Sequence, residues 1–316
     1  MKAKNRVGLF LTGGLGNQLF QFAAALTIAD KSGIDIFDRT GKPRTNKSGD
    51  PEIFSFNLEK CVPYVRVSRG NILTEKSAGY LLRSHIWPKN FEKSTFVRFV
   101  LKTAGAIVQS LSFRQVIWPV VISDVGFKQL KIPKAKAPTP LLIGYFQSSV
   151  WPISVKDKLN KLQLIHEGPN LIELRELANE MKPIIVHVRR GDYLYETSFG
   201  LLGQDYYQRA FQYIEQQFAD NPIWVFSDDV EEARKTLNWL PPSRLKFIPD
   251  VDGESAASLT AMRYGCAYVI ANSTFSWWGA FLSETENPIV VAPNPWFIGQ
   301  KDPDALIPSK WIKVTR

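Results

Sequence analysis

An apolar run, Ile184-Ile185-Val186, leads straight into His187-Val188-Arg189-Arg190-Gly191-Asp192, so that an imidazole, two guanidiniums and a carboxylate fall within six residues. A guanidinium presents a rigid fork of donors that matches phosphate oxygens. Two of them after a buried strand suit a diphosphate better than they suit packing; the competing use is an ion-pair network between domains. Side chains alternate along a strand, which sends His187 and Arg189 to one side and Arg190 to the other. Asp192 can pair with an arginine or take up a proton, and Glu196 brings a second carboxylate four residues on.

A second cluster follows another apolar run: Val269-Ile270-Ala271-Asn272-Ser273-Thr274-Phe275-Ser276-Trp277-Trp278. Ser273 and Thr274 offer hydroxyls and backbone N–H groups to phosphate oxygens where a helix begins, and Phe275 can pack on a sugar or base. The plainer use is a cap followed by a Trp-rich core helix, and Trp277 and Trp278 are read as core. A third cluster, Leu11-Thr12-Gly13-Gly14-Leu15-Gly16-Asn17, turns a strand into a helix; Gly14 and Gly16 let backbone approach a ligand, and Asn17 can cap or bind. It fits neither the dinucleotide nor the P-loop pattern. Asp228-Asp229 after Trp224-Val225-Phe226 reads equally as a ligand contact or a helix cap. Asp250-Val251-Asp252 and Asp302-Pro303-Asp304 match the short D-x-D pattern that can hold a divalent metal.

These residues need a scaffold. Strands are predicted at 7–11, 141–146, 184–188, 223–226, 246–248, 268–271 and 289–292, and helices at 17–31, 171–181, 205–218, 230–237, 255–264 and 277–283. Such alternation builds parallel sheets, whose ligands sit at the strands' carboxyl ends. At 316 residues the chain is long enough for two α/β lobes, divided here as residues 1–155 and 156–316 with a ligand held across the gap between them.

With 39 basic residues against 30 acidic ones, a net charge of +9 and 45% hydrophobic residues, the chain reads as globular with an anionic partner. The lysines are dispersed and no nucleic-acid-binding signature occurs, which argues against nucleic acid. Cys61 and Cys266 lack redox or metal spacing, and His85, His166 and His187 are scattered, so a reducing compartment and no histidine metal site are expected. Residues 7–11 are too short for a signal sequence, and no apolar window spans a membrane. Residues 93–123 carry no acid and hold Lys93, Arg98, Lys102 and Arg114 among apolar residues. They read as a helix pair with solvated lysines, or alternatively as a peripheral contact with an anionic membrane at its cytoplasmic face.

The segments GGLGNQLFQ, HVRRGDY, FSDD and ANSTFSWWGAFL, in this order, resemble glycosyltransferase family 11, the α-1,2-fucosyltransferases. The resemblance implies a GT-B-type fold of two Rossmann-like lobes facing a central cleft. It also implies a GDP-fucose donor, a galactose-terminated glycan acceptor, and transfer with inversion, without a metal. The first lobe would take the acceptor and carry the Gly-rich loop; the second would bind GDP-fucose. Carried over by position, Gly14, Gly16 and Asn17 would border the donor, His187 would approach the guanosine, and Arg189, with Arg190 nearby, would hold the β-phosphate. Ser273, Thr274 and Phe275 would line the diphosphate and sugar; Asp228 and Asn272 are further donor-side candidates from their places after the strands. Read from the residues themselves, the catalytic candidates are Arg189 for the leaving charge and, as base, Asp192 ahead of Glu196. Relatives carry an acid that reads guanine where this chain has Ser258, so Glu254 or a backbone carbonyl would substitute. The other functional classes are a metal-dependent sugar transferase using D-x-D and a non-catalytic nucleotide-sugar binder.

Overall fold

The structure, a computed structural model, describes residues 6–29, 33–41, 44–67, 103, 120–123, 141–191, 199–298, 302 and 305–316. Asp192, Glu196, Asp304 and the basic residues Lys93, Arg98, Lys102 and Arg114 lie outside these. The chain divides into two compact units: Met1–Gln163 with Pro303–Leu306, and Leu164–Asp302 with Ile307–Arg316. The first unit extends beyond residue 155 because the Asn57 N–H donates to the Gln163 carbonyl at 2.8 Å, tying that stretch back to residues 57–60.

In the first unit five parallel strands run in the order β3-β2-β1-β5-β4. They are β1 (Val7–Thr12), β2 (Ile34–Gly41), β3 (Val65–Val67), β4 (Val120–Ser123) and β5 (Leu141–Gly144). All six residues of β1 are buried, as a central parallel strand covered on both faces demands. Helix α1 (Leu15–Ala29) opens two residues ahead of its predicted start, because Gly13 turns at φ +74° and the Gly14 carbonyl accepts from the Asn17 and Gln18 N–H groups. Two short helices, α2 (Val150–Ser154) and α3 (Lys156–Leu159), close the unit.

The second unit holds six parallel strands in the order β11-β10-β9-β6-β7-β8. These are β6 (Ile184–Val188), β7 (Ile223–Ser227), β8 (Leu245–Ile248), β9 (Ala267–Val269), β10 (Ile289–Asn294) and β11 (Ile312–Thr315). Chain order runs outward from β6 through β7 to β8, then restarts at β9 on the other side. This is the doubly wound pattern, with its switch point between β6 and β9. The helices are α4 (Pro169–Met181), α5 (Gln204–Phe211), α6 (Glu215–Phe218), α7 (Val230–Thr236), α8 (Ser255–Met262) and α9 (Thr274–Phe281). The predicted helix over 205–218 is two: Tyr213 and Ile214 donate to the carbonyls three residues back, tightening the chain between α5 and α6. Ile184, Val186 and Val188 pack with Tyr206, Tyr207 and Phe211 in the core. Trp277 and Trp278 are fully buried, with Trp277 stacked on Phe281 at 4.8 Å.

The strands β2, β3, β4 and β11 escaped the sequence reading. β2 (IDIFDRTG) interrupts its apolar pattern with Asp and Arg, and the others are three or four residues long. Among the described residues no helix is long and apolar enough to cross a membrane.

Candidate active site

Parallel pairing of β6 with β7 aligns Val188 with Ser227, so the next residue on each strand, Arg189 and Asp228, emerges side by side at the carboxyl edge. The Arg189 Nη1 lies 3.2 Å from the Asp228 Oδ2, and the Asp228 Oδ1 accepts from the Arg190 N–H at 2.8 Å. One carboxylate therefore fixes both a guanidinium and the peptide behind it. Gly191 is required for this approach, since a Cβ there would sit 2.2 Å from the Asp228 Oδ2. The neighbouring Asp229 does something different: its side chain accepts from the Glu232 N–H and caps α7.

The two arginines part company. Arg189 stays at the edge, its side chain 19% exposed. Arg190 is buried, and its Nη2 donates to the Thr236 hydroxyl at 2.5 Å on α7. Its backbone N–H serves the Asp228 clamp while its side chain anchors the strand end to the helix layer.

His187 is buried, with its ring centroid 6.2 Å from that of Phe275 and, among the described residues, no hydrogen-bond partner at Nδ1. Burial, reinforced by the positive charge of Arg189, lowers its pKa from the ordinary 6.5 to about 3, so the ring is neutral at neutral pH. With the folded value below the unfolded one, the unfolded chain takes up a proton first. The contribution to stability is whole above about pH 6.5 and is lost as pH falls toward 3, amounting to about 2 kcal/mol by pH 5. His187→Asn is expected to narrow the stability difference between pH 7 and pH 5 by that amount, read by denaturant melts; an unchanged difference overturns the assignment.

Across the switch point, α9 begins at Thr274 rather than at Trp277, because the Ser273 hydroxyl accepts from the Phe275 N–H at 3.3 Å. Thr274 and Phe275 consequently sit half-buried in the first helical turn, where free N–H groups and the helix dipole favour an anion. Asn272 lies just beneath: its amide nitrogen donates to the Phe199, Gly200 and Trp296 carbonyls at 2.9, 3.3 and 3.2 Å. The Ser258 hydroxyl accepts from the Val251 N–H at 2.9 Å, holding the turn before α8.

The Gly-rich loop belongs to the first unit, and Gly16 lies buried within α1. The Asn17 Oδ1 accepts from Gln147 at 2.8 Å. Sequence reasoning missed Glu52, whose buried carboxylate accepts from the Leu15 N–H at 2.5 Å at the start of α1. A carboxylate already occupies the electropositive helix end that a phosphate would need. No spacing rule finds a partner 37 residues away in sequence.

One aspartate of each D-x-D motif, Asp252 and Asp302, serves backbone. Gly168, at the start of α4, has no side chain to cap it; Asp252 does so instead, accepting from the Asn170 and Leu171 N–H groups at 3.2 Å each. Asp302 accepts from the Trp296 and Phe297 N–H groups at 2.6 and 2.8 Å. Among the described residues no group of three or more His, Cys, Asp or Glu is placed to hold a metal ion. Asp252→Ala is expected to cost about 1 kcal/mol of stability, the usual worth of a cap, with turnover unchanged; a collapse of turnover with stability intact would restore the metal reading.

A fixed guanidinium, a neutral imidazole and a helix N-terminus meet at the switch point of a doubly wound sheet, and such a unit belongs to the Rossmann-type α/β class. Residues 120–314 match the family model of glycosyl transferase family 11. The chain belongs to that family and is a glycosyltransferase. It is 26% identical to an α-1,2-colitosyltransferase of Escherichia coli over 97% of this chain and 98% of that protein. To the O-antigen biosynthesis glycosyltransferase WbnK of Escherichia coli it is 29% identical, over 96% of this chain and 99% of that one. Among solved structures, POFUT1 in complex with GDP-fucose covers 92% of this chain and 98% of its own at 13% identity, with a TM-score of 0.49. NodZ α-1,6-fucosyltransferase soaked with GDP-fucose covers 89% and 93% at 13% identity, with a TM-score of 0.46.

Proposed function

We propose that this glycosyltransferase is an inverting α-1,2-fucosyltransferase that moves L-fucose from GDP-fucose to the 2-hydroxyl of a terminal galactose in a glycan. The observation that carries the reading is Arg189, held by Asp228 at the carboxyl end of β6, across the switch point from the first turn of α9. As the bond between fucose C1 and the phosphate oxygen breaks, its electron pair and the growing negative charge pass to GDP. A fixed cation and an oriented helix end stabilise that charge without reorganising. The Glu52 carboxylate at the start of α1 argues that the diphosphate lies in the second unit rather than on the Gly-rich loop. His187 and Phe275 offer the guanosine a neutral, apolar flank. The galactose oxygen forms the new bond to C1 from the opposite face, and its proton passes to Asp192, with Glu196 as the second candidate. Positive charge builds on the sugar in the transition state, so little push from the base is needed.

The names of the two Escherichia coli relatives support an α-1,2 linkage and a place in O-antigen assembly; the first favours a second reading, colitose in place of fucose. Turnover of GDP-fucose and GDP-colitose over a panel of galactosides, in excess EDTA and with the linkage read by NMR, separates these. We expect an α-1,2-fucosylated product at undiminished rate in EDTA. A product formed only from GDP-colitose, an EDTA-sensitive rate, or GDP binding without any product overturns the reading.

A further inference from the structure

Two carbonyls beside the donor turn each receive two donors from different parts of the second unit. The Phe199 carbonyl accepts from the Asn272 amide and from the Arg316 Nη1, both at 2.9 Å; the Trp296 carbonyl accepts from the same two groups, both at 3.2 Å. With two lone pairs each, both carbonyls are saturated, and one donor of each pair carries a charge, the stronger kind of hydrogen bond. Around them the surroundings are equally determined. Gly200 adopts φ +63°, and a Cβ there would meet Ile298 at 2.1 Å and the Arg316 Nη2 at 2.8 Å, so only glycine admits the guanidinium. Asp302 holds the Trp296 and Phe297 N–H groups, the Phe199 and Phe297 rings pack with centroids 5.3 Å apart, and Arg209 grips the Thr315 carbonyl just before Arg316.

We propose that Arg316 and Asn272 form a clamp that sets the position of the donor turn, making Arg316 a positioning residue for transfer. Asn272 directly precedes Ser273, the cap of α9, and the chain that leaves the edge at Gly191 is pinned again at Phe199 by this same clamp. Edge strand β11, the turn after β10 and the return at Phe199 are thereby locked to the first turn of α9. Arg316 touches no reacting atom; it acts through Asn272. The inference rests on the reading of Ser273–Phe275 as the donor turn, while the clamp itself is testable without any substrate.

Amide hydrogen exchange on the ligand-free full chain is the primary test. Arg316→Ala is expected to speed exchange at Gly200, Leu201 and Phe297 by about tenfold, the scale of losing a charge-assisted hydrogen bond, while Arg316→Lys, which keeps a cationic donor, falls between. Exchange there identical to the parent protein overturns the clamp whatever the enzyme's substrate is. With GDP-fucose, Arg316→Ala should lose three- to tenfold in kcat, keep the GDP Kd within about twofold, and regain turnover in millimolar guanidinium, which does not help the parent. A kcat that stays level, or a loss that only follows the unfolded fraction in thermal melts, overturns the positioning role. A parent protein that neither binds GDP nor turns over GDP-fucose overturns the fucosyltransfer reading instead, and leaves the exchange result to decide the clamp.

Discussion

Arg189→Ala is expected to yield a folded protein whose turnover of GDP-fucose is at least ~100-fold slower than that of the parent, the scale for removing one fixed donor from a developing anion. The side chain ends at the sheet edge, partly exposed beside Asp228, so water can enter the space it leaves. Melting temperature should therefore move little, and circular dichroism should match the parent. The deficit should appear mostly in kcat, because the charge on the leaving diphosphate is larger in the transition state than in the bound donor. Arg189→Lys keeps the charge without the fork and is expected to recover part of the rate. Near-normal turnover in Arg189→Ala would remove the central element of the mechanism.

The second large effect is expected at Asp228. Its carboxylate joins the Arg189 guanidinium to the Arg190 peptide, and Asp228→Ala releases both, for a loss between about 10- and 100-fold in turnover, as expected for hydrogen bonds to a charged group. Asp228→Asn retains an acceptor for the Arg190 N–H but not the charge, and should fall in between. Because Asp228 acts through Arg189, the two losses should not multiply: in an Arg189→Ala background, Asp228→Ala should cost less than about threefold. Losses that multiply would mean that Asp228 acts independently of Arg189, through the Arg190 peptide or on the substrate itself, and full activity in the single variant would mean that Arg189 needs no orientation.

Much of the second unit is legible in the sequence. The buried strands β6, β7 and β10 are continuous apolar runs, a pattern that parallel sheets covered on both faces require, and the polar clusters at their ends point to the carboxyl edge. Three of the four segments, HVRRGDY, FSDD and ANSTFSWWGAFL, lie within residues 120–314, the stretch that matches the family. Strands β2, β3, β4 and β11 were illegible, because charges break the apolar run of β2 and three or four residues carry no periodicity in the others.

Partners were another matter. Asp228 and Asp229 are equivalent as letters, yet one pairs with Arg189 and the other caps a helix; the register of β6 against β7 makes that distinction. Likewise Asp252 and Asp302 look like metal ligands, yet Asp252 caps α4 and Asp302 holds the Trp296 and Phe297 N–H groups; Glu52 fills a helix end 37 residues away, and Arg316 shares the Phe199 carbonyl with Asn272. The amino-acid sequence by itself determined the class of fold, the family and the residue types at the sheet edge, since these depend on local apolar patterning and on short contiguous segments. Only the tertiary structure decided which polar group meets which, because a hydrogen bond depends on ångström distances between residues that strand register and helix packing bring together from far apart along the chain.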